Sequence, residues 1–424
     1  MATILIVSLL ILVILGVPIG LVLGISSLLA LIYAGNLPLI VIPQKMFGGI
    51  DSFPILAIPF FILAGELMSS GGINKKIIRF ANAFIGWITG SLAIVTVVAS
   101  MFFAAISGSA VATVSAIGGV TIPAMKKEGY SSDFAAAVSS SAAVCGPIIP
   151  PSIPLIVYGA ALAMSVSDLF IASVIPGLML GAVLIGLSYY IARKRNFPKN
   201  DKAPLSEKID ATKDGIWALL MPVIILGGIF SGIFTPTEAS VIAVVYAFLI
   251  SIFVYKSIKV SDIGEILSNS AVITSTIMII LATSKISSWI VVVSNLPTTI
   301  SNAILGVTNS SVIILLLINL ILLIVGCLME ANAAMIILIP VLVPLAQSAG
   351  VTPLQFGVIM TFNLCLGLLT PPVGATLLIG SYMAKSKFEK AVVATIPFFL
   401  AGFVVLMLIT FIPALTVWLP NVLK

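Results

Sequence analysis

Five oxygen-bearing side chains lie where long apolar stretches of this sequence are interrupted. Ser107 and Ser109 flank a glycine between two apolar arms, Ser152 follows two prolines, and Thr370 precedes two prolines. Glu330 occupies a short polar gap in the second half of the chain. Oxygen ligands are those that hard cations such as sodium prefer. A lone serine here is usually a helix-packing residue, but four hydroxyl groups at comparable interruptions predict a cation site.

Two of these interruptions are proline-containing breaks inside long apolar runs. They read Gly-Pro-Ile-Ile-Pro-Pro-Ser at 146–152 and Gly-Leu-Leu-Thr-Pro-Pro-Val-Gly at 367–374. Consecutive prolines remove amide donors and clash with the preceding turn, so a helix must open there. At membrane depth, opened backbone is tolerated only where it is buried in protein or lines a wet cavity. Exposed helix N-termini attract anions and exposed C-terminal carbonyls coordinate cations, so both breaks are candidate ion sites.

Glu330 is the strongest candidate among the charged residues of the apolar stretches. A charge inside the bilayer is costly and usually functional. Asn332 and Asn363 lie near the second polar gap and the second break, where each could ligate an ion or hydrogen-bond between helices. Three charged residues nearer the ends of apolar runs are expected to extend toward the interface: Glu66, Glu238 and Lys285.

Composition indicates that these residues lie in a membrane protein. Of the 424 residues, 60% are hydrophobic and 8% are charged, whereas soluble domains carry about 25% charged residues. The basic residues behind the net charge of +6 cluster between apolar runs, which predicts membrane topology and no nucleic-acid partner. The chain has no histidine, and its three cysteines lack metal-binding spacing, which argues against zinc, haem and Ser–His catalysis. It also lacks a phosphate-binding GxxxxGK[ST] loop for ATP hydrolysis.

The apolar runs predict an all-α polytopic membrane protein. By symmetry with the second half of the chain, the first run is expected to form two short spans around Gly16-Val17-Pro18, with the N-terminus outside. The runs cover roughly 3–34, 53–70, 84–106, 109–125, 134–163, 169–192, 216–234, 237–255, 271–293, 312–328, 333–346, 355–384 and 391–418.

The two halves of the chain resemble each other at a constant offset of 221 residues without gaps. Chance matching of two apolar stretches is the alternative, but the absence of gaps argues against it. Glycine and proline dominate the matches, which suggests one backbone built twice, in residues 1–192 and 216–424 with a cytoplasmic linker at 193–215. The matching pairs include Gly129 with Gly350, Gly146 with Gly367, Pro150 with Pro371, Gly159 with Gly380, and Pro176 with Pro397.

Each half is predicted to contain one re-entrant helical hairpin and one broken helix. The hairpins are 84–125 and 312–346, and the broken helices are 134–163 and 355–384. Lysine and arginine flank the first hairpin but not the second, so the hairpins open to opposite faces and the repeats are inverted. Inverted repeats favour an elevator-type transporter, in which a block of roughly 84–163 plus 312–384 moves and the other spans stay fixed.

Several motifs resemble the large membrane subunit of TRAP transporters, the DctM-like permeases. The resemblance runs essentially from end to end, with the motifs in the same order and at the same spacing. They are Ala-Ile-Pro-Phe-Phe-Ile-Leu-Ala-Gly-Glu at 57–66, Ser-Gly-Ser-Ala at 107–110, Ile-Pro at 122–123, Pro-Ile-Ile-Pro-Pro-Ser-Ile at 147–153, Gly-Ile-Phe-Thr-Pro-Thr-Glu at 232–238 and Thr-Pro-Pro-Val-Gly at 370–374.

The resemblance implies a tripartite system that takes up an organic acid with sodium. A periplasmic binding protein would deliver the solute, such as sialic acid or a C4-dicarboxylate. A separate small four-helix membrane subunit would brace this chain, and both would lie in the bacterial inner membrane. One sodium ion would lie among Ser107, Gly108, Ser109, Gly146, Ile149 and Pro150. A second would lie among Met329, Asn332, Gly367, Thr370 and Pro371. The solute would face Ser107, Ser152 and Glu330.

Three other functions remain open from the residues alone. A stand-alone sodium-coupled anion symporter of similar architecture would need no binding protein. An ion channel would show flux without saturation, and a membrane enzyme would need catalytic groups that this composition makes scarce.

Overall fold

The computed structural model describes residues 1–35, 37–199 and 201–423. These residues form α-helices and short 3₁₀ and π turns, and no β-strand occurs among them. The helices are α1 Ala2–Ile14, α2 Ile19–Ala34, α3 Val41–Ile50, α4 Ala57–Ser70, α5 Ile73–Ile85, α6 Ser91–Ser107, α7 Ala110–Lys127, α8 Ser132–Ala143, α9 Ile153–Leu162, α10 Val166–Lys194, α11 Leu205–Phe230, α12 Pro236–Leu249, α13 Ile263–Val293, α14 Leu296–Val307, α15 Ser311–Leu328, α16 Ala331–Ser348, α17 Pro353–Gly367, α18 Ala375–Ala384, α19 Phe388–Phe411 and α20 Ala414–Val422.

The predicted all-helical membrane architecture is confirmed. In the described part of the chain, eight helical segments are long and apolar enough to cross a bilayer. The first apolar run divides as expected, because α1 ends at Ile14 and α2 begins only after Pro18. Both predicted proline breaks also open the chain, between α8 and α9 and between α17 and α18, and the Pro-Pro bond in each is cis.

Two predicted boundaries differ from the structure. The first hairpin starts at Ser91 and not at residue 84, because α5 ends at Ile85 and Gly90 adopts a φ of +74° before α6. The linker predicted at 193–215 is shorter, because α11 begins at Leu205 and carries an exposed polar first half. Because this first half of α11 carries charged residues, a search for apolar runs does not detect it.

The prediction also missed four shorter helices, α3, α5, α14 and α20. Helix α5 is strongly amphipathic, since it carries Lys75, Lys76 and Arg79 besides buried residues such as Ile73 and Ile77. A search for continuous apolar runs does not detect such a helix, because about half of its surface is polar.

The constant offset between the halves reappears in the helix bounds. Helix α7 spans Ala110–Lys127 and α16 spans Ala331–Ser348, so both ends differ by 221 residues. The turns that follow are also alike, with φ of +86° at Gly129 and +88° at Gly350. The opposite orientation of the two halves stays a prediction.

The helices pack into two groups. The first group, which we name the core block, comprises α6–α10 and α15–α20, and the second, the frame, comprises α1–α5 and α11–α14. Hydrogen bonds join the two halves within the core block: Ser140 Oγ donates to Thr376 O at 3.0 Å and Tyr158 Oη donates to Pro353 O at 2.8 Å. The expected moving block omitted α10 and α19, but both pack on its helices, so they belong with the core block.

The frame has its own bonds between the halves. The hydroxyls of Ser27 and Ser287 lie 2.8 Å apart, and Thr237 Oγ1 donates to Phe53 O at 3.1 Å. At the end that the basic residues predict to be cytoplasmic, Lys76 and Arg79 both pair with Asp214 and so join α5 to α11. The frame meets the core block in two main places: α13 and α14 run beside α16, and α4 and α5 pack on α6.

Close packing of α8 on α18 predicts that Gly380→Ala destabilises the core block. A Cβ at Gly380 would overlap Ser140 Oγ and lie 3.2 Å from Ala136 O. Either Ser140 Oγ must turn away from Thr376 O, or the two helices must separate, at a cost of about 1–3 kcal/mol. We expect a lower thermal unfolding midpoint in detergent, and a smaller loss from the same substitution in a Ser140→Ala background. Gly186→Ala is the control, since nothing lies within 4 Å of its Cβ position. Equal midpoints for Gly380→Ala and Gly186→Ala would contradict this packing.

Candidate cation and solute site

Both hairpin tips and both helix breaks border one cavity of about 330 Å³. The frame closes one side of it with Val13, Val17, Ile19 and Ile277. The core block supplies the rest: Gly108, Ser109, Ala110, Val111, Pro147, Ile153, Pro154, Gly326, Cys327, Leu328, Met329, Glu330, Ala331, Asn332, Cys365, Leu368, Val373, Gly374 and Ala375. The four interruptions of the sequence therefore meet at one place in space.

The first hairpin tip packs directly on the first break. Gly108 has a φ of +61°, and a Cβ there would lie 2.7 Å from Pro151 O. A Cβ at Gly146 would lie 2.6 Å from Ser109 O and 2.9 Å from Thr113 Oγ1. Only glycine permits both approaches, and they bring the backbone oxygens of the tip beside the break.

Thr113 is an oxygen-bearing residue of this region that the sequence analysis missed. Its Oγ1 lies 3.2 Å from Ser107 Oγ and donates to Ser109 O at 2.7 Å. The sequence indicates Thr113 by its spacing, because it lies one helical turn after Ser109 and therefore on the same side of α7. Ser107, Ser109 and Thr113 thus form a small oxygen cluster next to Gly146.

The hydroxyl of Ser152 is already engaged by the protein. It donates to Pro147 O and accepts from the amide of Leu155 at 3.3 Å, so Ser152 caps α9 and closes the break. The side chain is fully buried and does not line the cavity. Ser107 is also buried and outside the lining, whereas Ser109 borders the cavity.

Glu330 caps α16 at the second tip. One carboxylate oxygen accepts from the amides of Asn332 at 2.9 Å and Ala333 at 3.1 Å, and the other accepts from Asn332 Nδ2 at 2.6 Å. A carboxylate is stabilised there by the free amides of the first turn. The carbonyl oxygen Oδ1 of Asn332 is buried without a hydrogen-bond donor among the described residues. A buried amide oxygen beside the cavity is suited to coordinate a cation or to accept a hydrogen bond from a solute hydroxyl group.

The second tip and second break are also in direct contact. A Cβ at Gly367 would lie 2.7 Å from the Cα and O atoms of Gly326, so α15 and α17 cross without side chains between them. The amide of Val373 donates to Cys327 O at 3.4 Å. Thr370 Oγ1 donates to Gly367 O at 2.8 Å, which closes this break on itself. Of the predicted second ligand set, Met329 and Asn332 border the cavity, whereas Gly367, Thr370 and Pro371 are not part of its lining.

Asn363 lies at a helix crossing near the second break. Its Nδ2 donates to the backbone oxygen of Asn319 at 2.9 Å and to its side-chain oxygen at 2.8 Å. The residue therefore ties α17 to α15, which corresponds to the packing alternative left open by the sequence.

Helix ends dominate the electrostatics of the cavity. Its lining includes the N-terminal ends of α7, α9, α16 and α18, at Ala110, Ile153, Ala331 and Ala375. Each such end carries a partial positive charge from unpaired amides. Among the described residues of the lining, Glu330 is the one Asp, Glu, Lys or Arg, and it caps α16 alone. An anion is therefore favoured near α7, α9 and α18, and a cation is favoured near the tip oxygens.

Sequence comparison places the chain among transport proteins. Residues 6–415 match the family described as the tripartite ATP-independent periplasmic transporter, DctM component. The C4-dicarboxylate TRAP transporter large permease protein of Vibrio cholerae is 40% identical, over 97% of this chain and 95% of that protein. The sialic acid large permease protein of the same species is 37% identical, over 96% of this chain and 95% of that protein.

Two further comparisons differ in length or in similarity. The isethionate TRAP transporter permease protein DctMQ of Oleidesulfovibrio alaskensis is 40% identical over 94% of this chain, and the chain spans 63% of that longer protein. The YdaH transporter of Alcanivorax borkumensis has a TM-score of 0.62 at 13% identity, covering 88% of this chain and 87% of that one, which supports the fold alone. The chain belongs to the family of DctM components of tripartite ATP-independent periplasmic transporters, and it is a multi-pass inner-membrane permease rather than an enzyme.

Proposed function

We propose that this chain is the large permease of a tripartite system that takes up an organic acid together with sodium. The observation that carries the proposal is the single cavity enclosed by both hairpin tips and both helix breaks. Cavities at the meeting point of interrupted helices in internal repeats are where secondary transporters bind solute and ions. The family favours this function over a stand-alone symporter or a channel.

An organic anion fits the electrostatics of the cavity. Three of its helix N-termini, those of α7, α9 and α18, have no acidic residue in the first turn. In α9 the Leu155 amide is bonded to Ser152 and Pro154 has no amide, so the free amides come mainly from α7 and α18. Such amides would bind carboxylate oxygens without a basic side chain. The relatives are named for isethionate, C4-dicarboxylates and sialic acid, which are all organic acids. We therefore assign organic acids as the solute class, with sialic acid and C4-dicarboxylates as candidate members.

Sodium fits the oxygen atoms beside the tips. The first proposed site uses oxygens of Ser107, Ser109 and Thr113, next to Gly146. The remaining residues of the two proposed ligand sets would contribute backbone oxygens, which suit this hard cation. The second site would include Asn332 Oδ1, a buried acceptor that lacks a partner in the described structure.

The proposed transport step moves the core block past the frame. The cavity lies mostly in the core block, and the frame contributes only one wall. Translation of the core block would therefore carry the site from one side of the bilayer to the other. A periplasmic binding protein would supply the solute, and the small four-helix subunit would hold the frame.

Sodium binding provides the first prediction. The purified chain should bind radioactive sodium saturably, and unlabelled sodium but not choline should displace it. Asn332→Ala should weaken this binding about tenfold, which is about 1.4 kcal/mol, because it removes the unpartnered buried oxygen. Asn302→Ala is the matched control, since Asn302 is exposed on α14.

The transport assay decides whether sodium is the coupling ion. Proteoliposomes containing the small subunit and the binding protein should accumulate the organic acid only with an inward sodium gradient. Equal uptake in choline, driven by a proton gradient alone, would exclude sodium coupling.

Glu330 provides the second prediction. Glu330→Ala should reduce uptake at least tenfold, because the α16 amides lose their cap and Asn332 Nδ2 loses its acceptor; loss of a cap costs about 0.5–2 kcal/mol. Glu330→Gln keeps the shape and should retain more uptake than the alanine variant. Glu207→Gln on the exposed first turn of α11 is the control. Normal uptake by a folded Glu330→Ala protein would place the site elsewhere.

A further inference from the structure

A second cavity lies in the core block, outside the proposed transport site. It has a volume of about 870 Å³ and lies between the start of α8, the end of α10 and the start of α19. The basic residues at these helix ends place it at the cytoplasmic surface of the bilayer. We name it the cytoplasmic cleft; its lining consists of Ser131, Asp133, Phe134, Leu187, Tyr190, Ile191, Lys194, Arg195, Glu389, Lys390, Val393, Ala394 and Pro397.

One half of the cytoplasmic cleft is basic. Lys194 and Arg195 end α10, and Lys390 lies in the first turn of α19. The guanidinium of Arg195 lies 5.6 Å from the centre of the Phe134 ring. This contact holds the cation over the start of α8.

The acidic groups of the cleft do not cancel this charge. Its two carboxylates, Asp133 and Glu389, face three basic side chains. Asp133 Oδ1 accepts from the hydroxyl of Ser386 at 2.5 Å. Helix α19 begins without a side-chain cap, and Glu389 in its first turn offsets part of the positive potential of its free amides. The three basic side chains therefore leave the cleft with a net positive charge. The cleft therefore favours an anionic group.

The other half of the cytoplasmic cleft is apolar and faces the hydrocarbon. Val393 is 66% exposed and Tyr190 is 63% exposed, and Leu187, Ala394 and Pro397 continue the same wall. Exposed tyrosine is typical of the membrane interface, where its ring is buried and its hydroxyl remains hydrated. An apolar wall directly below a basic pocket matches the two parts of a phospholipid, its acyl chain and its phosphate.

The repeat relationship shows that the shared backbone does not require this basic charge. The residues 221 positions away from Lys194 and Arg195 are Leu415 and Thr416, and the one corresponding to Lys390 is Leu169. The positive-inside rule explains basic residues at this end in general. Arg193 and Lys387 lie at the same end of the helices but outside the cleft lining, and they already satisfy that rule. The rule alone therefore does not explain why three further basic residues line the cleft.

We propose that the cytoplasmic cleft binds an anionic phospholipid of the inner leaflet. Its phosphate lies among Lys194, Arg195 and Lys390, and an acyl chain lies along Val393 and Pro397. This binding requires neither sodium nor solute, so it stands independently of the proposed transport function.

Lipid binding by the purified full chain tests this proposal. Native mass spectrometry would compare phosphatidylglycerol with phosphatidylcholine of the same acyl chains, and the chain should retain phosphatidylglycerol preferentially. Arg195→Gln with Lys390→Gln should weaken phosphatidylglycerol binding at least fivefold. Arg193→Gln with Lys387→Gln removes the same charge from the same end outside the cleft and should leave binding unchanged. Arg195→Lys with Lys390→Arg keeps the charge and should keep binding, which separates loss of charge from loss of folding.

Three outcomes would overturn the proposal. They are equal retention of the two lipids, equal loss of binding in the Arg193/Lys387 control, and displacement of phosphatidylglycerol by the small membrane subunit. The last result would identify the cleft as a protein interface rather than a lipid site.

Discussion

The structure depends on one constraint, which is that backbone opened inside a bilayer must find partners within the protein. Unpaired amides and carbonyls in hydrocarbon cost several kcal/mol each, and this chain opens two helices at proline pairs. Each break is closed locally by a hydroxyl group: Ser152 bonds to Pro147 O and Thr370 bonds to Gly367 O. Each break also packs against a hairpin tip, through glycines that permit backbone to approach backbone.

The same arrangement creates the chemistry of the cavity. Helices that end at mid-membrane present partial charges that continuous helices neutralise internally. Four N-termini therefore reach one cavity of about 330 Å³, and the tip oxygens lie at its side. Because both halves contribute a tip and a break, neither half alone encloses the cavity. The bonds from Ser140 to Thr376 and from Tyr158 to Pro353 keep the halves together within the core block.

The sequence predicted the helices near the breaks well and the hydrogen-bond partners poorly. Glycine and proline restrict the backbone locally, so the matched pairs correctly indicated that α7 and α16 have corresponding bounds. A hydroxyl group has no such local signature. Nothing in the sequence distinguishes Ser152, whose hydroxyl closes a break, from Ser109, which borders the cavity. The oxygen cluster at Thr113 is local, and its signal is the spacing of one helical turn from Ser109. The association of α10 and α19 with the core block arises from packing between segments distant in sequence, which apolar runs do not encode.

In the proposed transport step, the core block carries the cavity as one body relative to the frame. Spin labels at Ser115 on α7 and Ser257 in the frame, in a chain lacking its three native cysteines, would report the distance between the two groups in lipid nanodiscs. Both positions are exposed. The proposed transport step predicts that this distance distribution changes between sodium and choline, while a pair within the core block, at Ser115 and Arg193, keeps one distance. An unchanged distance between Ser115 and Ser257 in a transport-competent protein, or an equal change within the core block, would contradict the account.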